Sequence, residues 1–116
     1  MQLKLSTQTE DGVLVMDCIG RIVFGDESSL LRENVKKAIS ENSRIVLNLA
    51  EVSYIDSGGL GTLVALRTTA LNAGGTIKLA NLTQRVSDVL QITKLITVFE
   101  AFNSVQEAVE SFRQAA

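Results

Sequence analysis

Apolar and polar positions along this chain follow two alternating rhythms, and each change of rhythm marks a change of element. Leu3-Lys4-Leu5-Ser6-Thr7 alternates residue by residue, as an edge or half-buried strand does. The apolar run from Val13 to Ile19 follows Glu10-Asp11-Gly12, and its Asp-Gly pair is a strong hairpin signal. The chain therefore opens on a β-hairpin. Gly20-Arg21-Ile22-Val23-Phe24-Gly25 forms a transition, after which Asp26 or Ser28 is placed to cap a helix. That helix turns Leu31, Val35, Ala38 and Ile39 inward and Arg32, Glu33, Lys36 and Lys37 outward.

Between Arg44 and Ala50 the run Ile45-Val46-Leu47-Asn48-Leu49 reads as a strand buried on both faces. Beyond Asp56-Ser57, the positions Leu60, Leu63, Val64, Leu66, Ala70 and Leu71 define a well-buried helix from about Gly58 to Asn72, ended by Gly74-Gly75. Thr76 to Ala80 is a further strand, and Thr83 or Asn81 can cap a short helix through Val86, Val89 and Leu90. Ile96-Thr97-Val98-Phe99 is expected as a short strand. Ser104 and Glu107, at capping-box spacing, open a last helix facing inward through Val105, Ala108, Val109 and Phe112. The order β-β-α-β-α-β-α-β-α predicts an α/β fold with a mostly parallel sheet and helices packed against it.

Composition narrows the function classes. A chain of 116 residues, 46% apolar and 21% charged, suits one domain with its own core. The net charge of −2 arises from 11 basic and 13 acidic residues spread along the chain, with no basic run to follow phosphates, so nucleic acid is not an expected partner. The N-terminus has neither the apolar core of a signal peptide nor a membrane span, which predicts a cytoplasmic protein without direct membrane insertion. The single cysteine, Cys18, falls in an apolar run and is expected as a small buried hydrophobe. Histidine is absent altogether, which removes the usual general base for a serine nucleophile and the commonest metal ligand. No catalytic residues, metal site or cofactor are expected.

Candidate chemistry converges on Tyr54-Ile55-Asp56-Ser57-Gly58-Gly59-Leu60-Gly61, where a strand gives way to a helix. Two readings of Ser57 stay open. It sits at or next to an N-cap, a place Ser favours because its oxygen accepts an amide at the helix start. The same geometry also suits an anion, and a phosphate on Ser57 would meet free N–H groups there. Asp56 opposes that phosphate: at roughly 6 Å and an effective dielectric of ~20, each pair of like unit charges costs about 3 kcal/mol. Such tension suits a switch that alters surface potential while the fold stays put. The Gly-rich stretch is no nucleotide loop, since it lacks the GxxxxGK[ST] lysine and the GxGxxG context. Asp26-Glu27 complements a helix dipole. Phe24, in a glycine-flanked turn, is either a core aromatic or an anchor for a partner.

On these residues the whole chain resembles the STAS domain of bacterial anti-sigma factor antagonists, a domain also found at the end of sulfate transporters. The strongest part is Asn48 through Gly61, similar to the family's strand and Asp-Ser-Ser/Ala/Gly-Gly-Leu-Gly loop. Ala73-Gly74-Gly75 before Ile77-Lys78-Leu79, Val86 through Leu95, Val98-Phe99 and Glu107-Ala108 add to it. The resemblance implies one STAS domain over residues 1–116, with helices packed on one side of the sheet. It also implies partner switching: Ser57 as the residue phosphorylated by an anti-sigma factor serine kinase and reset by a serine phosphatase. Asp56, Gly58, Gly59, Leu60, Phe24 and Asp26 would then contact the partner. Without the modification the antagonist would hold the kinase and free a sigma factor.

The alternative is a STAS subunit of a lipid transporter ATPase, or of a larger signalling complex, with Ser57 merely opening its helix. Whether two copies pair as a homodimer is left open. One departure from the family pattern is plain: many members carry an acid three residues after the glycine matching Gly20, whereas this chain has Val23 there and Asp26 and Glu27 later. Asp26 is the expected stand-in for that acid. Position 58, often Ser in the family, is Gly58, which leaves Ser57 as the loop's one acceptor.

Overall fold

The structure is a computed structural model that describes residues 2–114. Strands β1 (Lys4–Glu10) and β2 (Val13–Ile22) form the expected hairpin. Asp11 and Gly12 both adopt positive φ, 51° and 78°, which is the geometry that matches a two-residue turn to the right-handed twist of the strands. Helix α1 (Asp26–Glu41), strand β3 (Arg44–Ile55), helix α2 (Ser57–Asn72), strand β4 (Thr76–Ala80), helix α3 (Gln84–Ile92), strand β5 (Ala101–Phe102) and helix α4 (Val105–Gln114) follow. The sheet order is β1-β2-β3-β4-β5, antiparallel only between β1 and β2.

Pleating sends alternate side chains of β2 to opposite faces. Leu14, Met16, Cys18 and Ile22 join Leu31 and Val35 of α1, Leu63 and Leu66 of α2, and Val86 and Leu90 of α3 in the main core. Val13 and Val15, with Val46 and Ala80, face the other way and pack under Ala108, Val109 and Phe112 of α4. The mostly parallel α/β sheet is as expected, but the one-sided arrangement of helices holds only for α1, α2 and α3. Helix α4 covers the opposite face because β2, β3 and β4 are apolar on both sides. Lys78 fastens it there: buried on the α4 face, its Nζ donates to Ser111 Oγ at 2.8 Å and lies 4.2 Å from the Phe112 ring centroid. Glu100 balances the charge at 3.8 Å.

Three local expectations are corrected. Helix α1 is not capped by Asp26 or Ser28; its N-cap is Gly25 with no side-chain bond, and Ser28 instead donates its hydroxyl back to Val23 O at 2.6 Å. Ile96 to Phe99 is not a strand. Lys94 adopts a left-handed φ of 64°, Leu95–Thr97 closes a 3-10 turn, and the pairing with β4 begins only at Glu100, whose carbonyl accepts from Leu79 N. The apolar run is explained by packing of Ile96, Val98 and Phe99 against the main core. Finally, β3 extends well past Leu49, because its buried positions Ile45, Leu47, Leu49, Val52 and Ile55 are re-phased by irregularities in the register with β2.

Other signals hold. Thr83 caps α3 by accepting from Val86 N, and Ser104 Oγ accepts from Glu107 N at the start of α4. Helix α2 ends in a Schellman turn, with Gly74 at φ 82° and Gly75 N donating to Ala70 O at 2.8 Å. Cys18 is 1% exposed, and burial, with Asp17 adding its charge, pushes the thiol up to about 12. A maleimide added at neutral pH is expected to label Cys18 in the folded protein at least about a hundredfold more slowly than in urea; equal rates would show the strand exposed.

Candidate functional site

Strands β2 and β3 run parallel and end side by side, so the two turns leading into α1 and α2 meet at one end of the sheet. Asp56 joins them. Its backbone N–H donates to Ile22 O at 3.3 Å and its carbonyl accepts from Leu60 N at 2.8 Å. Its Oδ1 accepts from Gly59 N at 2.8 Å, making Asp56 the N-cap of α2, and both carboxylate oxygens accept from Phe24 N, at 3.1 and 3.2 Å. One side chain thus caps a helix and ties down a loop 32 residues away in sequence. The N–H of Gly59 above all, with those of Phe24 and Gly58 and against a contrary effect of desolvation, holds the Asp56 carboxyl below the usual carboxylate range.

The glycines allow this closeness. A Cβ on Gly59 would collide with the Ile22 carbonyl oxygen, and one on Gly58 would stand 2.6 Å from the Cβ of Phe24. Gly61, in contrast, faces open space. Helix α2 therefore rests directly on the end of β2 and on the turn after it.

Ser57, freed from capping by Asp56, is exposed as the first residue of α2. It lines a groove of about 350 Å³ between α1 and α2, together with Phe24, Gly25, Ser28, Ser29, Arg32, Gly58, Gly61, Thr62 and Ala65. Phe24 is 81% exposed, which excludes the core reading of this aromatic: its backbone is fixed by Asp56 while its ring stands in solvent at the groove's edge. Leu60 is buried on the inner face of the first turn of α2. Asp26 is exposed at the start of α1 and outside the lining of the groove, and Val23 is buried. The structure thus brings Asp56, Ser57, Gly58, Gly59 and Phe24 together and leaves Asp26 apart.

Sequence reasoning missed Arg32 and Thr62, whose periodicity marks them only as positions on two helices. Arg32 donates to Thr62 Oγ1 at 3.4 Å, and Thr62 in turn donates to Gly58 O at 3.0 Å. Also unforeseen is a chain of amides inside the sheet, in which Asn81 donates to Asn48 and Asn48 to Asp17 at 3.0 and 2.8 Å. Among the described residues no group of His, Cys, Asp and Glu is arranged to hold a metal ion, and no helix is long and apolar enough to cross a membrane.

A family profile for the STAS domain matches residues 4–108. The chain belongs to the STAS domain family. BtrV of Bordetella bronchiseptica, named for an anti-sigma factor antagonist role, is 26% identical over 97% of both chains. The anti-sigma-B factor antagonist of Bacillus subtilis is 32% identical over 61% of this chain and 65% of its own. Among solved structures, one named for the same role in Thermotoga maritima superposes with a TM-score of 0.85 at 23% identity, over 94% of each chain. In this STAS domain the loop from Asp56 to Gly61 and the groove beside it lie at the C-terminal ends of the parallel strands β2 and β3.

Two substitutions separate support from space in this STAS domain. Gly59→Ala is expected to lower stability by at least about 2 kcal/mol, whereas Gly61→Ala raises it by about 0.5 to 1 kcal/mol, both read from urea denaturation. Equal effects at the two positions would contradict the close approach to Ile22.

Asp56 supplies a pH test. Its folded-state pKa is depressed, so its contribution is complete above the unfolded value and disappears as pH falls through the folded one. Asp56→Asn is expected to be less stable than the natural chain at pH 7, with the gap closing as both are taken to acid below the ordinary carboxylate range. A gap that does not change with pH would rule out the charged cap.

Proposed function

We propose that this chain is a non-catalytic anti-sigma factor antagonist that works by partner switching in the cytoplasm. It binds an anti-sigma factor serine kinase while Ser57 is unmodified, and the sigma factor held by that kinase is released. Phosphorylation of Ser57 ends the complex, and a serine phosphatase restores it. The observation that carries this reading is the exposed Ser57 hydroxyl at the edge of a groove beside a solvent-facing Phe24, both on turns pinned by Asp56. The roles printed in the names of the Bordetella and Bacillus relatives support it.

The chemistry asked of the chain is modest. A kinase supplies the phosphoryl group and the catalysis; the antagonist must present one hydroxyl and a surface. Asp56 fulfils the cap, so Ser57 Oγ is not needed within the fold and is available to a partner. Phe24 offers an aromatic that a partner pocket can bury, the type of residue that dominates interface energetics. A phosphate next to the ionised Asp56 then introduces about −1.5 to −2 charges where the interface must close. Loss of binding follows without any rearrangement of the sheet.

The test incubates the chain with a candidate anti-sigma factor serine kinase and ATP, and reads the outcome by intact-mass measurement. A gain of one phosphate is expected in the natural chain and none in Ser57→Ala; a gain that persists in Ser57→Ala would refute the site. In binding assays with the same kinase, Ser57→Glu and Phe24→Ala are each expected to weaken the complex at least about tenfold, with Ser57→Ala still binding. Equal affinities for Ser57→Ala and Ser57→Glu would overturn the switch.

A further inference from the structure

We propose that Arg32 is the residue that receives the phosphate on Ser57, drawing it into the groove between α1 and α2 and so closing that groove to the partner. The inference deepens the reading of Ser57 as phosphoacceptor and rests on it.

Arg32 and Ser57 approach the groove from its two walls, Arg32 from α1 and Ser57 from α2. Arg32 is the one cationic side chain in the lining. It is half-buried, which keeps its guanidinium near the groove instead of free in solvent. Among the described residues no carboxylate pairs with it, and its contact with Thr62 Oγ1 is a long 3.4 Å. Most of its five donors are therefore unspent. That contact also tells where the guanidinium points: Thr62 Oγ1 is bonded to Gly58 O, the residue next to Ser57.

The wall of α2 next to Ser57 is open. Position 61 lies one turn after Ser57 on the same helical face, and it is Gly61, around which an added Cβ would meet no atom within 4 Å. A phosphate at Ser57 can thus lean along α2 toward the Arg32 side of the groove without meeting a side chain at position 61. The charge balance asks for such a partner. Asp56 stands beside Ser57 as an ionised carboxylate, so the phosphate meets repulsion there, and beyond the free N–H groups at the start of α2 the one cationic side chain lining the groove is Arg32. An arginine suits the role because its planar fork can offer two parallel N–H bonds to phosphate oxygens.

Occupation of the groove has a steric result as well as an electrostatic one. Phe24, Ser28 and Ser29 line the same space, so a phosphate seated on Arg32 fills the place where a partner side chain would insert beside Phe24. Release then comes from a blocked groove.

The experiment installs phosphoserine at position 57 during translation, so that the phosphate is present whether or not any kinase recognises the chain. The second ionisation of the phosphate is followed by phosphorus NMR against pH in the full chain, in Arg32→Gln and in Arg32→Lys. A guanidinium beside the phosphate favours the dianion, so the midpoint is expected to be about half a pH unit higher in Arg32→Gln than with Arg32 present. Arg32→Lys is expected to recover part of the difference, and molar salt to erase it. Identical midpoints in all three chains would overturn the proposal, as would a difference that ignores salt. A Ser57 that no kinase modifies would instead be seen by intact mass in the earlier experiment, which keeps the two failures apart.

Discussion

The Asp56 carboxylate is the joint on which this end of the molecule turns. Parallel strands must end at the same edge of a sheet, and their exits leave backbone N–H groups that no ladder satisfies. Asp56 answers two of these at once, Gly59 N at the start of α2 and Phe24 N after β2. A neutral cap could satisfy the helix, but a carboxylate has lone pairs for both donors and binds them more strongly because it is ionised. The depressed pKa and the rigid seat of the groove are therefore one fact seen from two sides.

Everything around the joint is arranged to keep it still. The main core fills the space beneath α1 and α2, with Leu60, Leu63 and Leu66 placing α2 over β3 and Leu31 and Val35 placing α1 beside it. Loops that carry binding residues gain precision when the scaffold beneath them is close-packed. The far face of the sheet is independent of this: α4 rests on a smaller apolar patch and on the partnered Lys78, remote from Ser57 by its place in the fold. The Ser57 groove is thus a surface already formed, so little ordering entropy would oppose the binding proposed for it.

Much of the architecture was legible in the order of residues, for reasons that are local. Asp11-Gly12, Gly74-Gly75, Thr83 and Ser104 act through the backbone of their own neighbours, so short windows suffice to read them. What failed depended on distant contacts. The end of β3 could not be seen because its register with β2 shifts, which breaks the alternation that identifies a strand. Ile96 to Phe99 has strand-like residues, yet a left-handed Lys94 and the core beside it turn them into a 3-10 bend. At the site, Asp56 and Ser57 stood out from the sequence, whereas the fixing of Phe24 by Asp56 spans 32 positions and the Arg32 contact with Thr62 spans 30, beyond the reach of any periodicity.

The contact between Gly58 and Phe24 has its own consequence for how this surface can diversify. With a Cβ at position 58 only 2.6 Å from that of Phe24, no side chain can be gained there while the turn after β2 keeps its path. Moving that turn would also pull Phe24 N away from Asp56. Positions 24, 56 and 58 are therefore coupled through the backbone: a larger residue at 58 requires the turn at 24 to be redrawn in the same step, and with it the bond that Asp56 accepts from Phe24 N.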